Sequence, residues 1–291
     1  MNQKIREHKE DQVASGLLYV VATPIGNLAD ISLRALEVLK QVQVVAAEDT
    51  RVTAKLLHHY GIAGKLVSVR EHNEVARAQQ LIEWLRAGQH VALVTDAGTP
   101  AVSDPGARAV AAVRAAGLRV VPIPGASAAI TALSAAGLDT PHFLFYGFLP
   151  PKSGERQTAL RALAEQTAAM VFYESPHRIV ACVDDLLAVF GGTRTMTFAR
   201  ELTKTFEQIH TCPLADAAAW LAADTDHQRG EFVLIVSGAL PRAPDQVQAQ
   251  HVLEVLLQEL PVKQAAKLAA QITGLKKNAL YDLALSLKGE T

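Results

Sequence analysis

The sequence predicts an α/β fold with two α/β domains, a cleft between them and a small helical region at the C-terminal end. Short valine-rich runs alternate with amphipathic segments through the first half of the chain, which is typical of a mostly parallel sheet with helices on both faces. From about Pro141 the predicted strands become richer in Phe and Thr. The length of 291 residues also suits about two domains of ~150 residues each.

The first domain is predicted over residues 17–139, after a polar N-terminal tail at 1–16. Its first strand is the buried apolar run Leu17–Ala22, which ends at the breaker sequence Thr23–Asn27. Asp30 can cap the helix that follows. The remaining elements are strands at Val42–Ala47, Leu66–Val69, Val91–Thr95 and Arg119–Ile123, and helices at Thr50–His59, about Val75–Ala87 and about Gly106–Ala116.

The second domain is predicted over residues 140–238. Its predicted strands are Phe143–Phe148, Ala169–Tyr173, Thr195–Ala199, Phe206–His210 and Glu231–Ser237. Antiparallel pairing is open for the last strands, because Phe206–His210 lies close in sequence to Thr195–Ala199.

A linker and a helical region are predicted over residues 239–291. The segment Pro261–Leu280 has four lysines and no acid, and its pattern resembles a helix–turn–helix with Gly274 at the turn. A solvated lysine face on a small bundle explains the same residues equally well.

Composition excludes several classes of protein. The 28 Lys and Arg residues against 29 Asp and Glu residues give a net charge of −1, which excludes nucleic-acid binding through a global positive field. Cys182 and Cys212 form no CxxC motif and have no His at metal spacing, so we expect neither a disulfide framework nor a metal site. The N-terminus lacks the apolar core of a signal peptide, and no apolar run is long enough to span a bilayer. We therefore expect a soluble, cytoplasmic protein with no membrane partner.

Three loops that contain Gly and Pro each follow a predicted strand of the first domain. They are Thr23–Asn27, Asp96–Pro100 and Pro124–Ser127. In an open parallel sheet the loops after the carboxyl ends of strands line the ligand crevice. One such loop could be an ordinary turn, but three on one edge of the sheet indicate a shared small-molecule site.

The usual nucleotide motifs do not explain these loops. The sequence has no GxGxxG and no GxxxxGK[ST] pattern, so dinucleotide and P-loop sites lack support. The sequence Gly125–Ala129 lies between a strand and a helix, as the nucleophile elbow of a serine hydrolase does, but it ends in Ala instead of Gly. Ser127 is more simply a helix cap or a hydrogen-bonding group for a ligand.

Seven motifs follow one another over most of the chain. They are Ala22–Leu28 (ATPIGNL), Ala46–Arg51 (AAEDTR), Thr95–Pro100 (TDAGTP), Ser103–Gly106 (SDPG), Gly147–Pro150 (GFLP), Phe172–Arg178 (FYESPHR) and Arg200–Lys204 (RELTK). In this order they resemble the tetrapyrrole methylase superfamily, and more closely its branch that modifies ribosomal RNA.

The resemblance to the superfamily implies S-adenosyl-L-methionine as methyl donor, a cleft between two α/β domains, and a homodimer. The resemblance to the branch implies 2′-O-methylation of a cytidine ribose in the decoding region of small-subunit (16S) rRNA, within an assembled or assembling ribosomal subunit. In the members that modify tetrapyrroles, the first loop resembles a GxGPG pattern, and a Gly-Asp-Pro sequence follows a later strand. Here the corresponding segments are Thr23–Asn27 and Gly98–Pro100, which argues against a tetrapyrrole substrate.

Two other functions stay open at this stage. One is a sibling enzyme with the same donor that methylates a tetrapyrrole or a protein side chain, such as a modified histidine on a translation factor. The other is an RNA-binding or assembly protein without catalytic activity, in which the loops are purely structural.

The methyl donor is already activated, so the protein must position an acceptor oxygen and manage one proton. The predicted cofactor-binding residues are Pro24, Gly26, Asp96, Gly98, Thr99, Val102, Ala126, Ser127, Ala128 and Leu149. The catalytic candidates are Glu48, Asp49, Glu174 and Lys204, with Glu201 and His177 also considered. Glu48 and Asp49 follow a predicted strand directly and could instead be helix caps.

Arginine forks match two phosphate oxygens, which makes arginine a good partner for RNA. The predicted RNA-binding residues are Arg51, His177, Arg178, Arg200, Lys263, Lys267, Lys276 and Lys277. Surface ion pairs are the alternative for the arginines. Tyr173 and Phe148 could stack on a base or belong to the core.

Overall fold

A computed structural model describes residues 15–70, 73–240 and 246–288 of the chain. The chain divides into two compact units, Met1–Ala239 and Leu240–Thr291. The first unit contains two five-stranded sheets with helices around them. The predicted α/β class is therefore confirmed.

The first sheet is entirely parallel, as predicted. Its strands are β1 (Leu18–Val21), β2 (Val44–Ala47), β3 (Lys65–Ser68), β4 (Val91–Val94) and β5 (Val120–Ile123), in the order β3-β2-β4-β1-β5. Its helices are α1 (Leu33–Gln41), α2 (Thr50–His59), α3 (Glu74–Arg86) and α4 (Ala107–Ala115). Every residue of β2 and β4 is buried, because helices cover both faces of the sheet and select small or β-branched side chains there. The connections that leave the neighbouring strands β4 and β1 run in opposite directions along the sheet, and open α/β sheets bind ligands where the direction of the connections changes.

The second sheet is mixed. Its strands are β6 (Phe143–Phe148), β7 (Ala169–Glu174), β8 (Thr195–Arg200), β9 (Gln208–Pro213) and β10 (Phe232–Val236), in the order β6-β7-β10-β8-β9. Only β6 and β7 pair in parallel, so antiparallel pairing of β8 with β9 is confirmed. The predicted start of β9 at Phe206 is wrong, because Phe206 lies in the preceding turn with 72% of its surface exposed.

The helices on the two faces of the second sheet come from different parts of the chain. One face packs against α6 (Ser153–Ala162), α7 (Ile179–Phe190) and α8 (Leu214–Ala223). The other face packs against α5 (Ala128–Ala135), which follows the last loop of the first sheet. Since α5 contacts β7 and β10, the loop before it lies where the two sheets meet. The predicted boundary between residues 139 and 140 falls between α5 and β6.

The second unit is a small helical bundle over residues 246–288. Its helices are α9 (Gln246–Glu259), α10 (Val262–Thr273) and α11 (Lys277–Lys288). Alanine and leucine side chains fill its core. Gly274 ends α10 with φ +72° and ψ 3°, a left-handed conformation that favours glycine, so the predicted turn at this position is confirmed. Within the described ranges, none of the helices has the length and apolar character needed to cross a bilayer.

Candidate active site

A cavity of about 400 Å³ lies between the two sheets of the first unit. One wall consists of the loops that follow β1, β2, β4 and β5 of the first sheet. The other consists of residues at the ends of β6, β7, β8 and β10 of the second sheet. Below, the first-sheet wall means Ile25, Glu48, Asp96–Thr99, Val102, Asp104, Ser127 and Ala128, and the second-sheet wall means Phe148, Tyr173–Pro176, Ala199, Leu202, Lys204 and Glu231–Val233.

Hydrogen bonds join the three predicted loops. Thr23 and Gly98 exchange two of them, with N–O distances of 2.9 and 3.0 Å, and form an isolated antiparallel bridge. The hydroxyl of Thr99 donates to the carbonyl of Ala126 at 3.0 Å. The three loops therefore converge on one edge of the sheet, as the sequence predicts.

Strained backbone conformations occur in a loop of each wall, next to residues that line the cavity. In the loop after β4, Ala101 and Ser103 have φ of +68° and +63°, and in the loop after β8, Glu201 and Thr203 have φ of +50° and +66°. Each such non-glycine residue costs on the order of 1 kcal/mol and persists only where its surroundings hold it in place. These are the positive-φ residues other than glycine in the described chain, so the strain is concentrated beside the cavity.

Carboxylates dominate the first-sheet wall. Oε2 of Glu48 accepts a hydrogen bond from the Thr95 hydroxyl at 2.7 Å, and Oδ1 of Asp96 accepts one from the backbone N–H of Asp49 at 3.0 Å. Burial raises the pKa of Asp96 although this hydrogen bond opposes the change. Burial, reinforced by the charge of Glu48, raises the pKa of Asp104 to about 6. This wall therefore holds a carboxyl group that exchanges a proton near neutral pH.

Charges in the second-sheet wall are paired. The buried carboxylate of Glu174 accepts from the Ser175 N–H at 2.7 Å and pairs with Nη2 of Arg178 at 3.1 Å. Nζ of Lys204 lies 2.7 Å from Oε1 of Glu201 and 2.8 Å from Oε2 of Glu231. Burial alone would lower the pKa of Lys204, but the hydrogen bonds to Glu201 and Glu231 outweigh it and raise this pKa. Lys204 is thus held as an ammonium ion.

The chain is similar to known proteins along its whole length. The family model for Tetrapyrrole (Corrin/Porphyrin) Methylases matches residues 17–218, and the model for the RsmI C-terminal HTH domain matches residues 243–288. Ribosomal RNA small subunit methyltransferase I of Neisseria meningitidis serogroup B is 51% identical, with 100% of both chains covered. The protein of that name from Escherichia coli O157:H7 is 49% identical over 98% of this chain and 100% of its own. The chain belongs to the tetrapyrrole methylase family, in its ribosomal RNA small subunit methyltransferase I branch.

A solved structure extends the family likeness to the fold. Uroporphyrin-III C-methyl transferase from Thermus thermophilus, in complex with S-adenosyl homocysteine, aligns with a TM-score of 0.54 at 22% identity. The alignment covers 76% of this chain and 97% of that one. The two-sheet unit is therefore the fold of a tetrapyrrole methylase.

Most of the cofactor residues predicted from the family motifs line the cavity. These are Asp96, Gly98, Thr99, Val102, Ser127 and Ala128. Ala126 contributes only the carbonyl that Thr99 binds. Leu149 does not line the cavity, because its side chain is 1% exposed and packs in the core under α6 and α7.

The first loop contributes Ile25 to the cavity, whereas the predicted residues Pro24 and Gly26 are not among the residues that line it. Pro24 lines a separate cavity of about 220 Å³. A Cβ on Gly26 would lie 2.6 Å from Cγ of Lys204 and 2.8 Å from Oγ1 of Thr203. Close packing against the loop after β8, whose Lys204 lines the cavity, explains the glycine at this position.

Asp49 is a helix cap and not a member of the cavity wall. Its carboxylate accepts from the N–H of Arg51 at 2.8 Å and forms an ion pair with that guanidinium at 2.5 Å. The hydrogen bonds from Arg51 hold the pKa of Asp49 far below its ordinary value. A carboxylate so firmly ionised and paired is a poor proton acceptor, so the alternative of a helix cap fits Asp49 and the catalytic one does not.

The predicted RNA-binding residues fall into different environments. Arg51 and His177 are exposed, whereas Arg178 binds Glu174 and the carbonyl of Leu149. The prediction for Arg200 is wrong. This side chain is 7% exposed, and its guanidinium binds Gln208 and the carbonyl of Arg229, so it has no free face for a phosphate. The four lysines Lys263, Lys267, Lys276 and Lys277 are all exposed on the helical bundle.

Sequence reasoning missed several cavity residues. Asp104 belongs to the motif Ser103–Gly106 (SDPG). Its position in the loop after a predicted strand was the signal that could have identified it as a cavity residue. Ala199 and Val233 form an apolar floor that gave no signal, because they belong to ordinary strand patterns. No three His, Cys, Asp or Glu side chains are placed to hold a metal ion within 15–70, 73–240 and 246–288.

Proposed function

We propose that this protein is an S-adenosyl-L-methionine-dependent methyltransferase that acts on the 2′-oxygen of a cytidine ribose in the decoding region of 16S rRNA. The observation that carries the proposal is the cavity between the two walls, whose 400 Å³ lies within the ~300–1,000 Å³ of small-molecule sites. The full-length likeness to proteins named ribosomal RNA small subunit methyltransferase I supports the choice of acceptor.

The residues of the cavity fit the proposed cofactor. Apolar surface from Ala199, Leu202 and Val233 suits a flat adenine ring, and carboxylates suit amino and ribose hydroxyl donors. Gly98, with φ +84° and no side chain, leaves its backbone open to the cavity. The bound sulfonium would supply an activated methyl group. The fold neighbour in complex with S-adenosyl homocysteine supports a cofactor of this class.

Proton management falls to the first-sheet wall. Glu48 and Asp104 both face the cavity, and at neutral pH a carboxyl with a pKa of about 6 is largely ionised and close to the range that suits a general base. We assign the acceptance of the ribose hydroxyl proton to this pair. Lys204 cannot accept a proton while it is an ammonium ion, and its positive charge suits stabilisation of a developing oxyanion. Glu174, paired with Arg178, suits a positioning role.

RNA recognition is assigned to exposed positive charge on both units. Arg51 and His177 are exposed in the first unit, and Lys263, Lys267, Lys276 and Lys277 in the second. Since the net charge is −1, binding to a short free RNA should be weak and salt-dependent. An assembled or assembling small subunit, with pre-formed RNA shape, is therefore the proposed substrate, and a homodimer the proposed form of the enzyme.

The test is methyl transfer by the purified protein to small ribosomal subunits from a strain that lacks it. We expect one additional 2′-O-methylated cytidine, located by mass spectrometry of rRNA fragments, and a thermal shift with S-adenosyl-L-methionine. A methylation profile that is the same with and without the protein would overturn the choice of acceptor. Absence of any thermal shift would favour a non-enzymatic RNA-binding protein.

A further inference from the structure

A second cavity lies between the segment after β1, the segment after β4 and helix α2. It measures about 220 Å³, and its lining includes Pro24, Leu28, Val52, Thr53 and Leu56. Asp96 lines this cavity and the larger one. A group bound in the smaller cavity therefore lies next to the proposed site of methyl transfer.

The lining contains a buried hydroxyl without a partner. Thr53 is 2% exposed, and its Oγ1 has no hydrogen-bond partner among the described residues. The other two threonines of the cavity differ, because Thr23 donates to the carbonyl of Thr95 and Thr95 donates to Glu48. A buried polar group left unsatisfied costs about 1–3 kcal/mol, so an unsatisfied Thr53 hydroxyl in a cavity wall points to a ligand that completes it.

The remaining lining defines the chemistry of that ligand. Pro24, Leu28, Val52 and Leu56 supply apolar surface, and Asp96 supplies a carboxylate. Apolar walls with few polar groups are how enzymes hold a base that has left its stack. The volume of about 220 Å³ far exceeds the ~10–15 Å³ that holds one water, so the cavity has room for a ring-sized group. Lys55 lies exposed at the rim, where an ammonium group can meet a phosphate.

We propose that this cavity binds the pyrimidine base of the acceptor nucleotide, with the exocyclic amine of cytosine donating to Asp96 and a ring acceptor receiving the Thr53 hydroxyl. A carboxylate accepts from the cytosine amine but meets an acceptor oxygen at the same position of uracil. The cavity would thus select cytosine over uracil. The proposal rests on the proposed function, since it names the base recognised by the same enzyme.

The decisive variant is Thr53→Val, which removes only the hydroxyl and keeps the shape of the side chain. Because this hydroxyl has no protein partner among the described residues, a merely structural Thr53 predicts full activity. A base-binding Thr53 predicts that kcat/KM for small subunits falls about tenfold, since the base then lacks one hydrogen bond. Thr53→Ser should retain activity within about threefold, and Thr158→Val, a helical threonine that bonds only the Gly154 carbonyl, is the matched control.

Two binding measurements separate the base cavity from the cofactor cavity. The affinity for S-adenosyl homocysteine, measured by calorimetry, should be the same in Thr53→Val and the wild type. In methyl-labelled protein, cytidine 5′-monophosphate should shift the resonances of Leu28, Val52 and Leu56 more than the uridine or adenosine monophosphates do, and less in Thr53→Val.

Three outcomes would overturn the proposal. The first is a wild-type kcat/KM in Thr53→Val, and the second is a loss of S-adenosyl homocysteine affinity in this variant as large as its loss of kcat/KM. The third is the absence of any shift of these methyl resonances with cytidine 5′-monophosphate. Failure of the wild-type protein to methylate any small subunit would instead reject the proposed function, and the nucleotide titration would still test the cavity.

Discussion

The two walls of the cavity differ in how their charges are satisfied. In the second-sheet wall, Glu174 pairs with Arg178, and Lys204 pairs with Glu201 and Glu231. In the first-sheet wall, Glu48, Asp96 and Asp104 are neighbours of like charge, and the hydrogen bonds found for Glu48 and Asp96 come from a hydroxyl and a backbone N–H. The pKa values differ accordingly: those of Asp96 and Asp104 are raised, whereas that of Glu201 is lowered by its hydrogen bonds although burial opposes this.

The difference separates proton exchange from positioning. A carboxylate held by a cation keeps its charge over the whole useful pH range, so it can orient a neighbour but does not take up a proton. Carboxylates that face one another share an unfavourable charge, and one of them gains a proton more easily. The walls therefore predict different losses on substitution: a loss of activity for the first wall and a loss of stability for the second.

Removal of a carboxylate from the first-sheet wall should have the largest effect. We expect Glu48→Gln or Asp104→Asn to lower the rate of methyl transfer by about 100-fold or more, which is the usual contribution of a general base. Single-turnover methylation of small subunits measures the rate, with S-adenosyl homocysteine affinity as the control for an intact cavity. A rate within a factor of about three of the wild type in both variants would show that this wall does not carry the proton.

The substitution Asp104→Asn should also raise the stability of the folded protein. The pKa of Asp104 is about 6 in the folded protein against an ordinary 3.8, so the folded state binds the proton more tightly. This stabilisation is complete below pH 3.8 and is lost as the pH rises through 6. At pH 8 we expect Asp104→Asn to be more stable by about 1–2 kcal/mol, after discounting for partial exposure. Urea unfolding at pH 5 and pH 8 measures it, and a gain that does not grow with pH would contradict the assignment.

Backbone shape in the first-sheet wall should matter next. Gly98 has φ +84°, so Gly98→Val forces a β-branched residue into a conformation it avoids and distorts the loop. We expect the affinity for S-adenosyl homocysteine to fall by about 100-fold, the equivalent of ~2.7 kcal/mol. Gly117→Val is the matched control, because Gly117 has φ +75° and open space around it. Equal loss of affinity in both variants would assign the effect to general destabilisation.

The two walls were also unequally predictable from sequence. The first-sheet loops follow apolar runs that are buried on both faces, so their convergence follows from the parallel pattern alone. The burial of Asp104 arises only when the second sheet covers the loop, and no local pattern reports it. Arg200 resembles a surface cation in sequence, but its guanidinium is enclosed by Gln208 of the neighbouring β9 and by the carbonyl of Arg229. The start of β9 was misplaced because Phe206 is apolar yet exposed in a turn.

Disruption of an ion pair in the second-sheet wall should lower folding stability more than it slows proton transfer. Glu174 has a fully buried side chain, and Arg178 is 27% exposed. Removal of one partner of a buried pair leaves the other uncompensated, so we expect Glu174→Gln to lower the free energy of unfolding by about 2 kcal/mol. Arg229→Gln is the control, since its pair with Asp226 is exposed on both sides and should contribute less than about 1 kcal/mol.

The smallest effect is expected from charges outside both walls. Lys263, Lys267, Lys276 and Lys277 belong to the helical bundle of the second unit, and neither cavity has any of them in its lining. Replacement of all four by Gln should weaken binding to small subunits by a few-fold. It should also reduce the slope of log K against log salt by up to about one for each phosphate that the variant no longer binds.

The affinity for S-adenosyl homocysteine should stay at the wild-type value in this quadruple variant, because both walls keep their residues. The alternative is that the lysines only solvate the bundle, and it predicts the wild-type salt slope. If the slope falls while the single-turnover rate at saturating subunit stays constant, docking and chemistry are carried by separate parts of the chain. If the single-turnover rate falls instead, the bundle contributes to the reacting geometry, and the contrast between the two walls no longer accounts for catalysis on its own.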